Sequence, residues 1–143
     1  MDVIKSSGII FVKPHDKICL KLSNDFVNYY KWFLERKFWR LLCCPKFGAH
    51  ITLGLQSIHP NIDWKKAFNF KGEVHDFEYS PYIYIGGRRK NTFRNFYLKV
   101  KSPSLSGIRN ALQIPDDSEL HVTIANTKNL QYKSLFPKMI EIS

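Results

Sequence analysis

The feature that most constrains this chain is an internal repeat. His50-Ile51-Thr52-Leu53 and His121-Val122-Thr123-Ile124 set a histidine, an apolar residue, a threonine and an apolar residue in one order, seventy-one positions apart. Each copy follows the same kind of sequence. Before the first, Ile18, Leu20 and Leu22 alternate with Lys17, Cys19 and Lys21 in the period of a half-buried strand. Ser23 or Asn24 then offers a helix cap, and Phe26, Tyr30, Phe33, Leu34, Phe38 and Leu41 recur at helical spacing. Before the second, residues 93–101 read as a strand with Phe96, Leu98 and Val100 on one face. Ser102-Pro103 opens a shorter helix to about Leu112, with the proline where its missing N–H matters least. Leu-Lys-Leu-Ser ahead of the first helix mirrors Leu-Lys-Val-Lys-Ser ahead of the second.

Two strand–helix–strand lobes, about 17–56 and 93–127, are therefore expected to be related by a rough internal twofold. No linker separates them, so residues 1–143 should form one domain. The fold class predicted is α+β, with antiparallel sheets lining a central cleft and helices packed outside.

Other elements follow from local signals. Val3–Val12 reads as a strand or extended lead, 24–40 as an amphipathic helix, and Glu73–Ser80 and Tyr82–Ile85 as strands. Trp32 and Trp39, seven apart, predict a second buried stripe on the helix. Gly86-Gly87-Arg88-Arg89-Lys90-Asn91 and Pro115-Asp116-Asp117 read as turns, and Leu130–Phe136 as a last short helix.

Composition narrows the chemistry. A chain of 143 residues with 44% hydrophobic content can bury a core, and no long apolar run marks a leader or a spanning helix at its start, so a cytosolic protein is expected. Cys19, Cys43 and Cys44 fit neither a disulfide framework nor a zinc spacing. Lys plus Arg outnumber Asp plus Glu by 22 to 12, and a net charge of +10 draws anionic ligands, phosphates first among them. Charge alone does not separate a nucleic-acid binder from a phosphoesterase.

The repeated motif does more. On a strand, i and i+2 share a face about 6.6 Å apart. His50 and Thr52 should therefore project together while Ile51 and Leu53 enter the core, and His121 and Thr123 likewise against Val122 and Ile124. Across a cleft, two imidazoles and two hydroxyls would converge, a set suited to a phosphodiester. Attack by a hydroxyl needs a base for the nucleophile's proton and an acid for the leaving oxygen, and two histidines can supply both near neutral pH without a metal. Threonine hydroxyls can donate to the non-bridging oxygens.

These paired H-x-T segments, each ending a strand–helix–strand lobe, resemble the signature of the two-histidine (2H) phosphoesterase superfamily. Size, histidine spacing and the run His-Val-Thr-Ile-Ala-Asn-Thr look most like the phage anti-CBASS nucleases, which cleave cyclic di- and trinucleotide immune signals. The resemblance implies a bilobal fold and His50, Thr52, His121 and Thr123 as catalytic residues. It also implies metal-independent hydrolysis of 3′-5′ bonds through a 2′,3′-cyclic phosphate to linear 3′-phosphate products, in the host cytosol. No cofactor, stable protein partner, membrane or long nucleic acid is expected.

Arg88, Arg89, Lys90 and Arg94, on or beside the Gly-Gly turn, could hold a second phosphate, and Tyr82 and Tyr84 on one strand face could stack on bases. His15, His59 and His75 lack the motif's context and receive no role. Two other readings stand beside the leading one. The same chemistry could serve RNA 2′,3′-cyclic phosphate ends or 2′,5′-oligoadenylate, or the chain could be a basic, non-catalytic RNA- or cyclic-nucleotide-binding protein.

Overall fold

In the computed structural model, residues 3–39, 41–87, 94–115, 118–127 and 139–141 are described. The secondary elements run β1 (Ile4–Lys13), β2 (Lys17–Lys21), α1 (Asn24–Phe38), β3 (His50–Leu55), α2 (Trp64–Phe68) and β4 (Val74–Tyr79). They continue with β5 (Tyr82–Gly87), β6 (Arg94–Lys101), α3 (Pro103–Ala111), β7 (His121–Asn126) and β8 (Met139–Glu141). The fold is α+β. All eight strands join one antiparallel sheet in the order β4-β1-β2-β3-β7-β6-β5-β8, and β4 also pairs with β6, so the sheet curls back on itself.

Alternation in sequence becomes two faces in space. Ile10, Val12, Ile18, Leu20, Ile51, Leu53, Phe96, Leu98, Val122 and Ile124 are buried together on one of them. The helices cover this core face: α1 lies against β7, while α3 lies against β3 and β4. α1 and α3 thus each pack on the histidine-bearing strand of the other strand–helix–strand unit.

Capping explains where the helices begin. Ser23 has extended backbone and its hydroxyl accepts from the Asp25 N–H at 3.3 Å, which settles the first cap. Ser102 does the same for Leu105 N–H and also donates to the Asp76 carbonyl at 2.6 Å, tying α3 to β4. Pro103 occupies the first turn as expected.

Several expectations need correction. α1 stops at Phe38 because Trp39 turns left-handed, with φ 56, and its N–H donates back to the Glu35 carbonyl. Trp32 and Trp39 do not form a buried stripe: they are 55% and 92% exposed, because α1 packs through Val27, Tyr30 and Leu34 on a single side. Leu41, beyond the helix end, is exposed as well. α2 and β8 were not expected. The turn residues Arg88–Asn91, Asp116 and Asp117, and the helix foreseen at Leu130–Phe136, lie outside the described residues. Among the described residues, no helix is long and apolar enough to cross a membrane.

Candidate active site

β3 and β7 lie side by side at the centre of the sheet, antiparallel, with Ile51 opposite Val122. Both of these side chains are fully buried. Continuing that register by one residue each way sets His50 opposite Thr123 and Thr52 opposite His121, on the face away from the core. The two histidines occupy one diagonal of this rectangle and the two threonines the other. Diagonal neighbours across such a pair stand about 7–8 Å apart, enough to hold a phosphate between two imidazoles.

Both rings are held alike. His50 donates from Nδ1 to the Gly48 carbonyl at 2.8 Å, and His121 from Nδ1 to the Glu119 carbonyl at 3.2 Å. A carbonyl only accepts, so Nδ1 carries the proton and Nε2 is the nitrogen left to accept one in each neutral ring. An aromatic ring meets each imidazole edge-on: Phe47 at 5.1 Å from His50, and Tyr97 at 5.5 Å from His121.

The neighbouring strands repeat the symmetry. Lys21 of β2 is directly opposite His50, and Lys99 of β6 is directly opposite His121. Cys19 opposes Thr52 and Tyr97 opposes Thr123, and each ladder slips register at the equivalent step, Ile18/Cys19 and Phe96/Tyr97. Cys19 is fully buried, and burial pushes its thiol up to about 11, so it stays neutral.

Electrostatics separate the two histidines. His50 is half-buried, and its pKa is lowered from the ordinary value chiefly by that burial, with the charges of Lys17, His121 and Lys21 adding to the effect and the Gly48 carbonyl opposing it. His121 is exposed. Beside it opens a cavity of about 530 Å³ that also borders Thr52 and Arg109, within the range of small-ligand sites.

Arg109 is buried under this cavity and escaped the sequence reading. Its Nε donates to the Leu53 carbonyl at 3.2 Å, Nη1 to the Ser118 carbonyl at 2.7 Å, and Nη2 to the Thr52 carbonyl and the Ser118 hydroxyl at 3.4 and 3.3 Å. One guanidinium therefore fastens the strand after His50 to the segment leading into His121. The signal was present, because Arg109 falls within the Leu105, Ile108, Leu112 stripe where a charge is out of place. Lys21 and Lys99 were legible only as parts of a repeated Leu-Lys pair.

Among the remaining candidates, Tyr84 stacks on Tyr97 at 5.8 Å and carries the Lys99 ammonium 4.2 Å above its ring, so it belongs to the surroundings of His121. Tyr82 is half-buried two residues back on β5, opposite Glu141. Arg88, Arg89 and Lys90 lie outside the described residues. Elsewhere, His15 packs near Trp64 at 6.2 Å and His75 bonds Glu73 at 2.9 Å, while His59 borders the 530 Å³ cavity. Among the described residues, no three His, Cys, Asp or Glu side chains group as metal ligands would. Comparison with models of known protein families, with curated proteins and with solved structures gave no match.

Proposed function

We propose that this chain is a 2H phosphodiesterase that opens 3′-5′ bonds of cyclic di- and trinucleotides, in the manner of phage proteins that blunt CBASS defence. The observation that carries the reading is the β3–β7 register, Ile51 opposite Val122, with both Nδ1 atoms tied to carbonyls so that two Nε2 atoms and two threonine hydroxyls share one face. Two strand–helix–strand units meeting at that bridge fit the bilobal architecture of the superfamily.

His50 is the base of the first step, because its surroundings keep it neutral near pH 7. Its Nε2 takes the ribose 2′-OH proton, O2′ attacks phosphorus, and the bond to O5′ breaks as His121 Nε2 supplies that oxygen's proton. A 2′,3′-cyclic phosphate forms. In the second step His121, now neutral, takes a proton from water, which attacks phosphorus. The P–O2′ bond breaks and protonated His50 returns its proton to O2′, leaving a 3′-phosphate. Thr52 and Thr123 donate to non-bridging oxygens throughout.

The test is incubation of the protein in EDTA with 3′,3′-cyclic dinucleotides, cyclic trinucleotides, 2′,5′-oligoadenylate and RNA ending in a 2′,3′-cyclic phosphate, with products read by mass. Linear 3′-phosphorylated products from the cyclic signals, lost in His50→Ala and His121→Ala, are expected. Cleavage of the RNA end or the 2′,5′ linkage alone would move the substrate elsewhere within the same chemistry. Salt-sensitive RNA binding with no turnover would replace the enzyme by a binding module.

A further inference from the structure

The lysine of the Leu-Lys pair ahead of α1 and of α3 repeats in register as well as in sequence. Lys21 and Lys99 face the two histidines from opposite flanks of the β3–β7 pair. Each ammonium is also held near an aromatic ring of the histidine's own surroundings. Lys21 Nζ stands 4.8 Å from the Phe47 ring, which is edge-on to His50. Lys99 Nζ stands 4.2 Å from the Tyr84 ring, which stacks on the Tyr97 that is edge-on to His121. Such contacts restrain a long side chain without removing its charge.

We propose that Lys21 and Lys99 are catalytic residues of this site, each setting its ammonium against non-bridging oxygens of the phosphodiester between the imidazoles. The proposal rests on the two-histidine reading above. A phosphodiester carries one negative charge and gains a second as the attacking oxygen adds, whereas the threonines offer only neutral donors. Two fixed cations on opposite flanks match that growth in charge. Strand formation does not ask for lysine at either place, since lysine is among the residues depleted in strands.

The two lysines are not equal. Lys99 Nζ lies 3.5 Å from Glu119 Oε1, so part of its charge is already answered. Lys21 shares its face with Lys17, whose Nζ sits 3.2 Å over Phe47. The charged or titratable groups facing His50 are then Lys17 and Lys21 from β2 and His121 from β7, with the neutral Cys19 thiol between the lysines. Replacing Lys21 should cost more than replacing Lys99.

The experiment measures steady-state rates against pH on whichever cyclic nucleotide the wild type cleaves, for Lys21→Met, Lys99→Met, Lys21→Arg, Lys99→Arg and, as a control on the outer helix, Lys37→Met. A loss in kcat of about 10–100-fold is expected for Lys21→Met, a smaller one for Lys99→Met, and substantial recovery with arginine, while thermal midpoints hardly move. Lys21→Met should also shift the acid limb of the profile to higher pH, because a positive charge that holds His50 down is gone. A methionine variant within twofold of wild type, or a loss that arginine does not mend and that leaves the acid limb in place, overturns the proposal. A wild type that turns over none of the substrates removes the two-histidine reading and this proposal with it; active wild type with unaffected lysine variants removes the proposal alone.

Discussion

The two strand–helix–strand units place a histidine, a threonine and a lysine in the same register, yet they build the wall behind each histidine differently. In the second unit the edge-on ring is Tyr97, a residue of β6 itself. In the first, the position equivalent to Tyr97 is the buried Cys19, and the ring comes instead from Phe47, in the loop between α1 and β3. Phe47 brings Phe11 with it at 5.6 Å, and Lys17 covers its face. The outcome is a half-buried, positively flanked His50 against an exposed His121. A repeated motif thus yields two unlike histidine environments, as the proposed division into base and acid would require.

The hardest way to break this comparison is to delete each imidazole. His50→Ala and His121→Ala should each lower kcat by about 10³-fold or more with little change in thermal midpoint. A large loss in only one of them would mean that the units do not share the reaction.

Arg109→Met comes next, because it cuts the link between the units while leaving every reacting group in place. It removes the buried donor to the Leu53 carbonyl and the part-buried donors to the Thr52 and Ser118 carbonyls, and a loss of about 2–4 kcal/mol in urea unfolding is expected. An unchanged midpoint would show the guanidinium to be dispensable.

Thr52→Val and Thr123→Val probe the diagonal at matched volume. Each should reduce kcat about tenfold to a hundredfold with KM less affected, and unequal losses would show which unit grips the transition state harder.

The smallest effect concerns pH. A base must be neutral, and His50's pKa is lowered from 6.5, mainly by burial. Activity is therefore present above that lowered value and lost as pH falls through it, which puts the acid limb of kcat/KM below 6.5. High salt, by screening Lys17 and Lys21, should move the limb up by about a few tenths of a unit. A limb above 6.5 would take the base role away from His50.

The face that carries the candidate site was readable from the chain because a strand has period two. With Ile51, Leu53, Val122 and Ile124 committed to the core, His50, Thr52, His121 and Thr123 had only the other face to occupy. That β3 would neighbour β7 was not readable in the same way, since pairing across seventy residues depends on the whole sheet's order. The tryptophans of α1 misled because helical spacing shows which residues share a stripe but not how many sides of the helix find a partner. Phe47 was invisible for a related reason: a loop has no period, and this one turns left-handed at Gly48 just after it, at φ 79. Five-residue α2, capped by Asp63, is too short to leave a periodic trace.

That loop has one more tie. Cys43 exchanges both backbone hydrogen bonds with Asn126, at 2.9 and 3.0 Å, so the segment that supplies the Gly48 carbonyl to His50 is stitched to the far end of the strand that begins at His121. One backbone tie thus joins the loop that orients His50 to the strand that carries His121.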